Sequence, residues 1–418
     1  MLQSFWRFRS LALLLGLIAF LLIAGACGDD ADDTDGDNGA ITRGPETPIV
    51  IAAGEPIVIG VSVPLTGDDA ALGISARDAT AVSVERWKAA NEDQIGGHGI
   101  EVRAEDDGCT ETDITAQAAE RLLSIEGLVG VIGPMCSAGA AEVIPTYAQA
   151  GIVVISGSTT QNVLTLTQPE SKFFFRTAYT NAGEGALQAR YIFARLRDVM
   201  TVYVIDDSEA YGDDLANAAQ EALEDSGRTV TREGIERGTV DFSALAGRIA
   251  AENPDIVIFE GFNPEAALLY RQLRDAEYSG PFMSSDGAAS VSQFIEPVGD
   301  QAEGVLFAGC LQELPDDFLA DYVDIIGGEA PTIPFVAQYA DATTILLDAV
   351  AQVAVVQDDG SLEIDPLALR DAVSAPKLLV GISGGIGFDE NGDRIGSGRD
   401  IGLEMCVVQD GQLVNIRF

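Results

Sequence analysis

Five short segments collect side chains able to hold a small solute carrying both charges. They are Gly133-Pro134-Met135-Cys136-Ser137, Ser156-Gly157-Ser158-Thr159-Thr160, Asp206-Asp207-Ser208-Glu209-Ala210-Tyr211-Gly212, Glu260-Gly261-Phe262-Asn263-Pro264 and Ser284-Ser285-Asp286-Gly287. Each follows a short apolar run with strand character. Ser137 stands at a helix start, where its hydroxyl can cap the helix and the free amides suit an anion. Ser158, Thr159 and Thr160 add hydroxyls, and Asp286 is suited to an ammonium group. Tyr211 and Phe262 supply aromatic walls. Glu260, ending a strand, would serve a ligand with an extra donor such as an amide or a second amine. One side offers an anion site and the other a carboxylate with aromatics, which complements a small zwitterion such as an amino acid. Singly, Ser137 reads as a plain N-cap, Tyr211 and Phe262 as packing and Asp286 as a turn residue. Their joint placement after successive strands gives the reading its weight.

The elements that must position these loops alternate along the chain. Strand-like runs at 56–63 (PIVIGVSV), 100–104, 128–132 and 152–155 are separated by helical spacing at 70–91, 113–125 and 137–150. The rhythm restarts with helices at 182–197, 211–226, 242–252 and 264–276 between strands at 201–205, 229–235 and 256–259. Such alternation calls for parallel sheets with helices on both faces, an α/β fold, and two successive runs predict two Rossmann-like lobes. Open parallel sheets bind ligands beyond the carboxyl ends of their strands, where the polar segments fall.

Composition narrows the function further. The 418 residues carry 66 acidic and 24 basic side chains, a formal charge of −42. That field repels nucleic acid and anionic lipid, so neither is expected as a main partner. The single histidine, His98, argues against His-dependent catalysis and against a multi-His metal site. Gly381-Ile382-Ser383-Gly384-Gly385 fits G-x-S-x-G, but a nucleophile elbow needs a helix straight after it and a later histidine. Here a turn follows, Phe388-Asp389-Glu390-Asn391-Gly392-Asp393, and His98 comes far earlier. No phosphate-binding loop or dinucleotide fingerprint is present. We expect no enzyme activity, no cofactor and no metal.

The N-terminus reads as an export signal. Arg7 and Arg9 precede an apolar run at 11–23, too short for a membrane span of about 20 residues, followed by Ala24-Gly25-Ala26-Cys27. A cysteine directly after small residues resembles a bacterial lipoprotein box, which implies that Cys27 is lipidated and becomes the mature N-terminus. Ala24 stands where that box usually has Leu. The alternative is ordinary cleavage near Ala26 with Cys27 free. Residues 28–55, rich in Asp, Gly, Thr and Pro, read as a flexible acidic linker. Asp33, Asp35 and Asp37 hint at a calcium loop, yet Asn38 and Gly44 occupy the positions that need Gly and Glu.

From about residue 56 to the end, the chain resembles the periplasmic amino-acid-binding proteins of ABC transporters, the leucine/isoleucine/valine type. The resemblance is carried by GVSVPLTG, DDGC at Cys109, VIGPMCS at Cys136, the SGSTT loop, SEAYGDD, DFSALAGRI, FNPEAALLYRQLRDA and FDENGD, in that order. It implies two lobes joined by three hinge crossovers, with lobe 1 at 56–180 and 306–395 and lobe 2 at 181–305 and 396–418, after a signal peptide at 1–27. It implies that Ser137, Ser158 and Thr160 hold the ligand's carboxylate and share its ammonium, that Asp286 closes on the ammonium, and that Leu72, Tyr211 and Phe262 flank the cleft; Thr159 joins the same hydroxyl loop, and Glu260, from its place at a strand end, is expected to face the cleft as well. Leu72 replaces a frequent aromatic and Asp286 a frequent Glu. It further implies a disulfide between Cys109 and Cys136. Cys310 and Cys406, both at ends of strand-like runs, are a second bridge or two buried thiols. The expected partners are a small amino acid or related polar solute and an ABC permease in the membrane. The protein is expected to be monomeric, outside the cytoplasm and held to the membrane by its lipid. A ligand-sensing receptor on the same fold, and an amide- or urea-type ligand, are the alternatives.

Overall fold

The computed structural model describes residues 43–418 apart from 93, 311 and 376–378. The export signal, Cys27 and the linker up to residue 42 lie outside the described residues.

The apolar runs form two sheets. The first is wholly parallel, in the order Ile100–Asp106, Ile57–Val63, Leu128–Ile132, Val153–Ser156, Phe174–Arg176. Its central strands are buried at every position, as a parallel sheet covered on both faces requires. The second is parallel through Thr229–Gly234, Thr201–Asp206, Ile256–Glu260, Phe282–Ser284 and Leu306–Ala308. Met405–Gln409 and Gln412–Ile416 extend it antiparallel.

The chain passes between the two sheets after Phe174–Arg176, after Leu306–Ala308 and before Met405–Gln409. The first passage ends where Thr180 caps the helix Asn181–Arg195, its hydroxyl accepting from the Gly183 amide at 3.3 Å. Between the second and third passages the helices Asp316–Ile326, Val336–Val353 and Pro366–Ser374 return to the first lobe, and Val336–Val353 packs on Ala70–Ala90. The fold is therefore α/β with two parallel-sheet lobes and three crossovers.

Two expected boundaries shift. Residues 28–55 do not all form a linker: Ile49–Ile51 is a strand paired antiparallel with Leu362–Ile364, with both isoleucines buried. Alternating Ile-Val-Ile matches a half-buried strand, and its partner comes from far along the chain. The return to lobe 1 was expected at 306, but Leu306–Ala308 is hydrogen-bonded between Phe282–Ser284 and Met405–Gln409. It is buried at all three positions and paired on both sides within the second sheet, so the crossover follows residue 308.

Two disulfides are present, Cys109–Cys136 and Cys310–Cys406. The first ties the loop after Ile100–Asp106 to the start of the helix Ser137–Ala150. The second ties the segment just after Leu306–Ala308 to the neighbouring strand Met405–Gln409, beside the second and third crossovers. Among the described residues no helix is long and apolar enough to cross a membrane.

Candidate functional site

A cavity of about 30 Å³ lies between the lobes, beyond the carboxyl ends of both sheets. Lobe 1 contributes Leu72, Met135, Cys136, Ser137, Ser158 and Phe335; lobe 2 contributes Tyr211, Phe262, Asp286 and Gly287. Six side chains expected from the sequence thus meet in one space: Leu72, Ser137, Ser158, Tyr211, Phe262 and Asp286.

Thr159, Thr160 and Glu260 do not line it. The Thr159 amide donates to Ser156 Oγ at 3.1 Å and its carbonyl accepts from Arg176 at 3.2 Å, so it belongs to the loop's scaffold. The Thr160 carbonyl accepts from the Asn181 amide at 2.8 Å, at the first crossover. Glu260 is fully buried beneath the loops, facing Gln188 and Ser285. Met135, Cys136, Gly287 and Phe335 were not expected. The first three lie in the strand-end segments that carry Ser137 and Asp286, but Phe335 precedes a helix that follows no strand, and the strand-end rule does not point to it.

The hydroxyls of lobe 1 are committed unequally. Ser158 Oγ donates to the Met135 carbonyl at 2.7 Å and meets the Tyr339 hydroxyl at 2.8 Å. With its proton given to Met135 and one lone pair taken by Tyr339, it has a lone pair to offer a donor. Ser137 Oγ accepts from the Gln161 amide at 3.4 Å and keeps its own proton. It opens the helix Ser137–Ala150, whose first amides have no intrahelical acceptor. This side is a donor site for an anion.

The facing side is acidic. Asp286 Oδ2 accepts from the Tyr179 hydroxyl at 2.9 Å and Oδ1 from the Tyr211 hydroxyl. The Asp286 amide donates to Glu184 Oε1 at 3.3 Å. Burial pushes the Asp286 carboxyl up, to about 6, while the two tyrosine hydroxyls pull it down. Burial and the Asp286 charge lift Glu184 well above the carboxylate range, and burial takes Glu260 to about 8. Gly309, at the second crossover, has φ of 67°, and a Cβ there would sit 2.7 Å from Asp286 Cβ and collide with the Tyr179 hydroxyl. Only glycine lets the crossover pass so close to the carboxylate.

Contacts between the lobes flank the cavity. Arg237 of lobe 2 pairs with Asp69 of lobe 1 at 2.6 Å, and its guanidinium lies 4.5 Å over the Phe262 ring. Asp69 immediately precedes the helix Ala70–Ala90, whose first turn carries Leu72 to the cavity. On the other side Asp214 accepts from the Asn162 amide at 2.9 Å and from Asn181 Nδ2 at 2.8 Å.

Two sequence features stand apart from the cavity. Ser383 is buried in a hairpin turn, donating to Asp341 and accepting from Arg394 at 2.8 Å. His98 bridges the carbonyls of Glu55, at 2.8 Å, and Gly360, at 3.1 Å. No group of three or more His, Cys, Asp or Glu among the described residues is arranged to hold a metal ion.

The sequence model of the periplasmic binding proteins matches residues 56–398, most of the chain. The chain belongs to the periplasmic binding protein family. Among the relatives of this periplasmic binding protein is the leucine-, isoleucine-, valine-, threonine- and alanine-binding protein of Pseudomonas aeruginosa, 28% identical over 82% of this chain and 88% of the relative. A Leu/Ile/Val-binding protein of Rhizobium johnstonii is 28% identical over 81% and 88%. A leucine-binding protein structure from Thermotoga maritima superposes with a TM-score of 0.74 at 25% identity, covering 86% of this chain and 98% of that one. The family and these relatives are solute-binding proteins, not enzymes.

The buried acids of this periplasmic binding protein should make its stability depend on pH. Burial raises Asp107 and Asp207 to about 7, beside Asp286 at about 6 and Glu260 at about 8. Each holds its proton more tightly folded than unfolded. The stability this contributes is full below the ordinary carboxylate range and is lost as pH rises through about 6 to 8. We expect the thermal midpoint of the ligand-free protein to rise by several degrees from about pH 8 to about pH 6. A midpoint that drops over this interval in a calorimetric scan contradicts the assignment.

Proposed function

We propose that this protein is the solute receptor of an ABC importer. It captures a small α-amino acid between its lobes and presents the closed complex to a membrane permease driven by separate ATPases. The observation that carries this reading is the meeting of Ser137, Ser158 and Asp286 in one interlobe cavity walled by Leu72, Tyr211 and Phe262. The names of the relatives, which bind leucine, isoleucine, valine, threonine or alanine, support the ligand class.

The hydrogen bonds already made by these groups support the following roles. Ser137 Oγ–H and the first amides of its helix donate to the α-carboxylate. The spare lone pair of Ser158 and the Asp286 carboxylate accept from the α-ammonium. Hinge closure about the three crossovers excludes water, which strengthens each charged hydrogen bond. Because the ammonium needs ionised Asp286, affinity is full above pH about 6 and declines below it, approaching tenfold per unit, opposite in sense to ligand-free stability.

A thermal-shift panel of amino acids, amides and short-chain acids tests the ligand class, since a ligand of the folded state raises the midpoint by mass action. An α-amino acid should give the largest shift; a response confined to amides or acids overturns the reading.

A lipid on Cys27 anchors the protein, and residues 28–48 tether the lobes to it. Cys27→Ala should move the protein from the membrane fraction to the soluble extracytoplasmic fraction and abolish labelling by a clickable fatty acid. A variant that stays on the membrane and labels as the wild type does rules out the anchor.

A further inference from the structure

A charge pair spans the lobes on the side of the cleft away from the hinge. Arg237 follows Thr229–Gly234, the edge strand of the second sheet, and Asp69 follows Ile57–Val63 of the first. The second and third crossovers attach at Leu306–Ala308 and Met405–Gln409, four strands or more across the sheet from Thr229–Gly234. At about 4.8 Å per strand that is about 19 Å or more, a long lever arm. A pair placed there must separate when the lobes open. The Asp214 contacts on the other side adjoin Asn181 at the first crossover, where opening moves groups least.

Arg237 Nη2 donates to Asp69 Oδ2 at 2.6 Å, and the two side chains are only 16% and 11% exposed. The turn carrying Arg237 is fixed to its own lobe, because the Gly238 amide donates to Glu265 Oε1 at 2.7 Å. Beside the pair, Gln293 of lobe 2 donates to the Asp68 carbonyl of lobe 1 at 2.6 Å. Arg237 also has partners within lobe 2. Asp207 Oδ2 lies 3.9 Å from its Nη1, and Glu265 faces the guanidinium. Opening therefore leaves the cation between two carboxyl groups of its own lobe and releases Asp69 to water, so the open form strands no buried charge. In the closed form the pair is a largely desolvated, charge-assisted hydrogen bond. Its guanidinium rests on the Phe262 ring, a wall of the cavity, so a solute that holds that ring in place also holds the cation toward Asp69.

We infer that Arg237 and Asp69 form the latch of the closed state and set the rate at which a bound solute is released. The inference rests on the solute-receptor reading proposed above. Arg237 has two stations, one shared with lobe 1 and one within lobe 2, and opening moves it from the first to the second.

Release of radiolabelled leucine, valine and alanine, chased with unlabelled amino acid, tests it on the wild type, Asp69→Asn, Arg237→Met and the double variant. Neither substituted residue lines the cavity. Asp69→Asn should speed release at least about tenfold, the scale of coupling between desolvated charge pairs, while association changes by less than about threefold. Arg237→Met, which keeps an apolar stem on Phe262, should do the same. The double variant should release no faster than the faster single one, as for two halves of one interaction. Unchanged release in Asp69→Asn, or single effects that multiply in the double variant, overturns the latch. If Arg237→Met does not fold, Asp69→Asn alone decides. Failure of all three amino acids to bind the wild type overturns the amino-acid reading. The latch is then decided by small-angle scattering of the ligand-free protein: a larger radius of gyration in Asp69→Asn than in the wild type supports it, and equal radii overturn it.

Discussion

Asp286→Ala should cost at least about thirty-fold in affinity for the amino acid that most stabilises the wild type. A charged partner stranded in a buried site costs about 2 kcal/mol or more, and thirty-fold is about that energy. The site meets the conditions for the full penalty. Asp286 is buried, its two oxygens are oriented by Tyr179 and Tyr211, and lobe 1 contributes no second carboxylate to the cavity lining that could take over. Stability should move the other way. The ligand-free protein holds Asp286 beside Glu184, with burial raising both and the Asp286 charge raising Glu184 further. Asp286→Asn should therefore match or exceed the wild-type thermal midpoint near neutral pH while still binding poorly. Loss of affinity without loss of stability separates a ligand contact from a structural one. An unchanged dissociation constant would remove Asp286 from the site.

The largest expected loss of stability lies at Arg176 and Asp393. Arg176 is completely buried, and its Nε donates to Asp393 Oδ1 at 2.6 Å. Its other nitrogens reach the Thr159 carbonyl at 3.2 Å, the Gln161 carbonyl at 2.6 Å and Thr165 Oγ1 at 3.3 Å. Asp393→Ala leaves that guanidinium without a counter-charge, and breaking a buried pair from one side costs about 3–5 kcal/mol. Asp393 is itself partly exposed, so the lower end applies. Replacing both partners, as in Arg176→Met with Asp393→Leu, should recover much of the stability because no charge is then stranded. It should not recover affinity, because Arg176 also holds the carbonyls of the loop that carries Ser158. Chemical denaturation and ligand titration on the wild type and these two variants check both halves. A double variant that regains full affinity would show that Arg176 does not position the loop.

The two lobes were legible because the signal is local. Runs such as PIVIGVSV and the helical spacing between them repeat along the chain, and the strand-end rule points to Ser137, Ser158, Tyr211, Phe262 and Asp286 without any long-range information. The same rule also admitted Thr159, Thr160 and Glu260. It locates a loop, but backbone direction within the loop decides which side chain faces the cavity. Other features depend on pairings between distant segments. Ile49–Ile51 looked like linker because its partner strand is Leu362–Ile364. Arg176 became meaningful only once the FDENGD turn placed Asp393 beside it. Phe335 was invisible for a different reason: its left-handed backbone, not its neighbours in sequence, aims it at the cavity.

The central claim is that one cavity grips both charges of a zwitterion, with hydroxyls and helix amides on one lobe and a carboxylate on the other. The most direct measurement is a calorimetric titration of the wild type with its best α-amino acid and with that ligand's two halves, the decarboxylated amine and the deaminated acid. The account predicts that each half binds at least about a hundredfold more weakly than the whole, because each leaves one buried polar partner unpaired. A deaminated acid that binds as tightly as the amino acid would contradict it.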